Sequence, residues 1–225
     1  MRYGTRWWSV WLGVGLAGSI GPAALGATVA ATVAQEAQAA PPVQPSFVSP
    51  TDQFVRRVLA LSDHRQQAFA VVDKQAALLT VFDADGQRLG ATSVLLGQDI
   101  GDETVPGVGD RTQSGQLRSG DRTTPAGRFA SEPGRNLAGE SIVWVDYDAA
   151  FAIHRLRPGA SAADRARRLA STDPRDKRVS AGCVVVPEAF FQGVVQPALG
   201  LRHSVVYVLP ERGAWQSLWP QAAAN

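Results

Sequence analysis

The sequence predicts a mainly β domain with short helices, of the α+β class, built as a β-sandwich or mixed sheet. Three observations carry this. Short runs rich in β-branched and aromatic residues recur, among them "AFAVVD", "ALLTVF", "SIVWVD" and "HSVVYV". Clusters of Gly, Pro and Asp punctuate them at close spacing. Helical periodicity is confined to a few short segments, so strands dominate.

The elements follow in chain order. Arg2 and Arg6 precede an uncharged run over residues 7–35, and "AQA" at 37–39 then offers small residues at the two positions a signal peptidase reads. This is the pattern of a secretory signal over residues 1–39, which sends the remainder to the periplasm or cell surface. The run is also long enough to span a bilayer, so an uncleaved anchor is the alternative, and contact with a membrane is expected only in that case. Residues 40–67 read as a proline-rich linker and a short helix, with Phe54, Val55, Val58, Leu59 and Leu61 on one face.

From residue 68 the pattern is strand, turn, strand, turn, strand, with "DADG" at 83–86 as a hairpin turn. Residues 98–128 are full of Gly, Asp, Thr and Pro and read as a long loop of the functional or disordered kind. "SIVWVDYDAAFAIH" predicts two strands broken near Asp146–Asp148. "SAADRARRLAS" predicts a helix with Ser161 as N-cap and arginines on its outer face. "RVSAGCVVV" is β-rich, "PEAFFQGVVQPAL" starts a helix with Pro187 in its first turn, and "HSVVYVLPE" is a last strand. Residues 68–212 thus make a single domain, and 213–225 a tail whose Trp215 and Trp219 can fold back onto it.

The chain has 225 residues, 45% of them hydrophobic, enough for a core that needs no disulfide. Its 22 basic and 20 acidic residues nearly cancel and are mixed along the chain, so no nucleic-acid partner is expected. The one cysteine and three histidines show no metal-ligand spacing, so neither a metal nor another cofactor is expected. A monomer is expected.

A single cysteine behind a secretory signal is unusual, because structural cysteines in oxidising compartments come in pairs. Cys183 reads either as a small buried hydrophobe or as a nucleophile. For the second reading, Gly182 allows an unusual backbone or a close approach of substrate. The helix starting near Pro187 can point its positive end at the sulfur. His154 can take the proton, and N–H groups in "AGC" can form an oxyanion hole. Such a pair supports acyl transfer.

Read together and in order, "FAVVDKQAALLTVFDADGQRL", "SVLLG", "RTTPAGRF", "FAIH" and "RVSAGC" resemble the L,D-transpeptidase catalytic domain of the YkuD type, over residues 68–210. The resemblance implies a YkuD-type β-sandwich or mixed sheet, with Cys183 as nucleophile, His154 as catalytic histidine, and Ser180 and Gly182 in the nucleophile loop. It implies peptidoglycan stem peptides as partner and substrate, attacked through a thioester. The chain departs from the family pattern at Ala181, Val185 and Arg155, and in the arginine-rich insertion between His154 and Ser180. A hydrolase on the same scaffold and a catalytically degenerate wall-binding domain are the alternatives. Arg178 and Arg155 flank the site in sequence and are expected to bind a substrate carboxylate.

Overall fold

Both faces of the central strands are apolar, and the fold accounts for it. The structure, a computed structural model, describes residues 49–218; the predicted leader and Trp219 lie outside the described residues. On β1 (Phe69–Asp73), Ala70 and Val72 point into one core while Phe69 and Val71 point into another. On β10 (Ser204–Val208), Val206 and Val208 join the first core, and Val205 and Tyr207 the second. A period of two with both sets buried produces the continuous hydrophobic runs seen in the sequence.

These strands belong to an eight-stranded mixed sheet of order β3-β2-β1-β10-β5-β6-β7-β9. The others are β2 (Leu78–Phe82), β3 (Arg88–Ser93), β5 (Gly127–Arg135), β6 (Ser141–Asp146), β7 (Phe151–Arg155) and β9 (Val184–Val186). Two of the pairings, β1 with β10 and β7 with β9, are parallel. The strand β5 serves both halves: Gly127–Ser131 pair with β10, and Glu132–Arg135 pair with β6. The main core draws residues from both halves, including Leu79, Val81, Val143, Ile153, Val184 and Val206. Past β3, Leu95 exchanges two 2.9 Å backbone hydrogen bonds with Val185, so the far end of the sheet order is met by chain leaving its start. A small parallel pair, β4 (Leu96–Gly97) with β8 (Arg178–Ser180), follows directly.

The second core lies under α1 (Pro50–Ala60), whose Phe54, Val55 and Val58 pack on Phe69, Val71 and Tyr207. The Ser49 hydroxyl caps it at Asp52 N–H. Residues 50–60 are therefore part of the folded unit, and Leu61, predicted on the buried face, is the exposed C-cap. Trp215 folds back edge-on to Phe54.

Residues 98–128 depart from the expected loop. They are ordered by carboxylates: Asp99 accepts from the N–H groups of Gly120 and Arg122, and Asp121 forms a two-point pair with Arg111. They also contain a helix, α2 (Val108–Ser114). Gly109 obscured it in the sequence, yet a Cβ there would lie 2.4 Å from the Asp148 carbonyl oxygen, so the glycine is what lets α2 approach the β6–β7 turn.

In α3 (Ala162–Ala170) Ser161 does occupy the N-cap position, but its side chain makes no capping bond. The helical region after β9 starts at α4 (Glu188–Phe190) and continues through a π turn (Phe191–Val195) into α5 (Gln196–Leu199). Pro197, with no N–H to give, explains the wide turn before it. No helix among the described residues is long and apolar enough to cross a membrane.

Candidate active site

Parallel pairing of β7 with β9 sets His154 opposite Val185 and Ile153 opposite Val184. Ile153 and Val184 face the main core, so His154 and Val185 face the other side of the sheet. Cys183 immediately precedes this register, at the mouth of the loop joining β8 to β9. It is partly buried, and its Sγ donates to the Ala150 carbonyl at 3.4 Å.

The loop that holds Cys183 is closed by Ser180. The Ser180 hydroxyl donates to Cys183 O at 2.6 Å and accepts from Gly182 N–H at 3.1 Å. Gly182 has φ +125°, and a Cβ there would sit 2.9 Å from Thr123 O. The Thr124 hydroxyl donates to Gly182 O at 2.8 Å and accepts from Gly97 N–H at 2.8 Å. A Cβ on Gly97 would lie 2.2 Å from Arg122 O. The three segments "SVLLG", "RTTPAGRF" and "RVSAGC", far apart in sequence, are thus tied through one hydroxyl.

Beneath the threonine, Lys74 is wholly buried and donates to Thr124 O at 2.9 Å, Gly101 O at 2.6 Å and Asp102 Oδ1 at 2.6 Å. Burial pulls its ammonium below the ordinary value, and the hydrogen bond and charge of Asp102 oppose that pull. Nothing in the one-dimensional pattern marks this lysine as different from a surface residue.

His154 donates from Nδ1 to Arg155 O at 2.8 Å in the tautomer that the carbonyl requires, which leaves Nε2 as the basic nitrogen. Burial pushes its pKa down to about 4; the Arg155 carbonyl acts against this, and the charges of Arg157 and Arg165 act with it. Burial also raises the Cys183 thiol, while a backbone hydrogen bond from Ala152 and the same two arginines pull it down. At neutral pH the pair is therefore a thiol and a neutral imidazole. No hydrogen bond joins Cys183 to His154 in this state.

Several expectations are corrected by these contacts. Gly182 N–H is occupied by Ser180, so of the "AGC" amides it is not free for an oxyanion. The helix after Pro187 begins at Glu188, five residues beyond Cys183 along extended chain, about 16 Å at the usual strand rise, so its positive end does not act on the sulfur. Arg178 donates to both oxygens of Glu211 (2.9 and 2.7 Å) and to Lys74 O (2.7 Å), with both side chains little exposed. Arg155 pairs with Glu140 and, at 3.2 Å, with Glu188. Both arginines are held in ion pairs of the scaffold.

Val185 is wholly buried with Leu95 and Leu169, so the apolar residue at this position is the seat of α3. The insertion thereby lies over the same side of the sheet as His154. Its arginines read as an outer, solvated face in the sequence; only the tertiary packing brings Arg165 to the site. Among the described residues no cluster of His, Cys, Asp or Glu could hold a metal ion.

No protein-family model matches the chain, and no curated protein matches it in sequence. Its structural neighbours include L,D-transpeptidases. It is similar to the helical cell shape determining protein Pgp2 from Campylobacter jejuni, at 14% identity and TM-score 0.42, over 66% of this chain and 49% of that one. An L,D-transpeptidase from Xylanimonas cellulosilytica shares 16% identity, TM-score 0.37, over 63% and 60% of the two chains. The catalytic domain of the E. faecium L,D-transpeptidase shares 18% identity, TM-score 0.33, over 64% and 98%. The chain spans about half the length of the Pgp2 chain it matches.

Proposed function

We propose that the chain is a cysteine-dependent L,D-transpeptidase of the YkuD type that acts on peptidoglycan stem peptides, exported by the leader at residues 1–39. The observation that carries this reading is the nucleophile loop. Partly buried Cys183 sits in a loop fixed by Ser180, Gly182 and Thr124, and the strand paired with the one it leads into carries an imidazole whose Nδ1 is engaged, leaving Nε2 to take a proton.

In the proposed reaction, His154 Nε2 accepts the Cys183 proton as the sulfur attacks the diaminopimelate carbonyl of a tetrapeptide stem. The C–N bond breaks, the proton passes to the departing D-alanine amine, and a thioester remains. An amine of a neighbouring stem then attacks the thioester, releases the thiol and forms the cross-link. With Gly182 N–H occupied, the Cys183 N–H is the candidate donor to the tetrahedral oxyanion. The geometry is compatible with water as the resolving nucleophile, which would make the enzyme a carboxypeptidase.

The test is product analysis. The mature chain is incubated with purified tetrapeptide muropeptide, and the products are separated by chromatography and weighed. A cross-linked dimer with loss of one D-alanine supports the transpeptidase, and tripeptide alone supports the hydrolase. Unchanged tetrapeptide, with no mass added to the protein, contradicts both and leaves a wall-binding domain.

A further inference from the structure

The arginines around the site differ in what they are bonded to. Arg157 pairs with Glu140 at 3.0 Å, and Arg167 and Arg168 on α3 pair with Asp164 at 2.7 and 2.9 Å. Arg165, on the same helix, has no carboxylate partner among the described residues. Its Nε is buried and makes no hydrogen bond to any of them. A buried guanidinium nitrogen without an acceptor is costly, and native structures rarely leave one unused without a reason.

Helix geometry places this group. Leu169, one turn further along α3, packs on Val185, which is the register partner of His154. The i, i+4 spacing puts Arg165 on the same flank as Leu169, over β7 and β9. Its charge is felt at both His154 and Cys183, which no other part of α3 achieves among the groups acting on them.

We infer that Arg165 receives an anionic group, a carboxylate, of the molecule that reacts at Cys183. This deepens, and rests on, the reading of Cys183 as the acylated residue. A guanidinium with donors to spare meets a carboxylate with two parallel hydrogen bonds, and the described residues supply no carboxylate to compete for this one. The insertion between His154 and Ser180 is then a specificity element: it brings a cation to the reacting sulfur from outside the sheet.

The test uses two alkylating probes of nearly equal size, anionic iodoacetate and neutral iodoacetamide. Both react with the Cys183 thiolate, form the S–C bond and expel iodide, so the ratio of their rates cancels any change in thiol ionisation. The ratio for iodoacetate over iodoacetamide is expected to fall roughly tenfold in Arg165→Ala and in Arg165→Gln. It should be retained in part by Arg165→Lys, and Arg167→Ala should match wild type. In wild type the ratio should also fall as salt is raised.

An unchanged ratio in Arg165→Gln overturns the inference, and so does an equal loss of rate with both reagents. Should Arg165→Ala fail to fold, Arg165→Gln, which keeps a polar side chain with an amide N–H donor and removes only the charge and the fork, decides. Loss of the ratio in a protein that is never acylated by muropeptide would keep the anion site and contradict the transpeptidase reading alone.

Discussion

The hydroxyl of Thr124 lies 2.8 Å from the carbonyl oxygen of Gly182, 58 residues further along the chain, and is wholly buried there. The same oxygen accepts from Gly97 N–H at 2.8 Å. One side chain therefore satisfies two buried backbone groups and fixes the position of the residue before Cys183.

Thr124→Val keeps the size of the side chain and removes both bonds. Leaving a buried N–H and a buried carbonyl unpaired costs about 1–3 kcal/mol each. Urea unfolding is expected to show a loss of about 2–6 kcal/mol for the two groups together, and Thr124→Ser should recover most of it.

Gly182→Ala is expected to be worse than its size suggests. The φ of +125° disfavours any L side chain, and the added methyl would stand 2.9 Å from the Thr123 carbonyl oxygen. Backbone strain of this kind costs on the order of 1–3 kcal/mol. Acylation of Cys183 should be lost together with that stability. Gly193→Ala is the control, because a Cβ there meets nothing within 4 Å.

Burial of His154 makes stability depend on pH. Its pKa is about 4 in the folded protein and 6.5 when unfolded. Between these values the unfolded state binds the proton and the folded state does not, so stability rises with pH across this window. The contribution is fully present above about pH 6.5 and lost as pH falls towards 4. Linkage puts its size on the order of 2–3 kcal/mol. Denaturant unfolding at pH 4.5 and 7.5 should show that difference in wild type and lose it in His154→Gln.

Arg178 should behave as a scaffold residue. Its pair with Glu211 is largely shielded from water, so Arg178→Ala strands a carboxylate and is expected to cost about 3 kcal/mol. Thermal unfolding would report it. A change in substrate KM with stability intact would contradict the assignment.

How much of this was visible in the sequence depends on the range of the interactions. Phe69, Val71, Leu79, Val81, Val205 and Tyr207 mark their strands through local β propensity, and Asp83 to Gly86 mark the hairpin through turn chemistry. Ser180, Gly182 and Cys183 were legible as a group because they lie within four positions. The role of Thr124 was not, since its partners lie 27 positions before it and 58 after. Lys74 and Arg165 look like surface charges, and only packing shows that one is buried and that the other lies over β7 and β9. Strand β5 was missed because Glu132, Pro133 and Gly134 are poor strand residues, tolerated where the strand changes partners. Arg155 and Arg178 misled for the converse reason. Closeness to Cys183 in sequence says nothing about the carboxylates that reach them from residues 140, 188 and 211.

The central claim is that Cys183 is acylated with His154 as the base, and intact-protein mass spectrometry during incubation with tetrapeptide muropeptide tests it most directly. Wild type should gain the mass of the stem less D-alanine, and Cys183→Ala should gain nothing. His154→Ala should form the same adduct on the order of 100- to 10,000-fold more slowly. Because burial raises the Cys183 thiol, partial recovery is expected only above the ordinary thiol range, beyond about pH 9. An adduct on Cys183→Ala, or normal acylation of His154→Ala at neutral pH, would contradict the account.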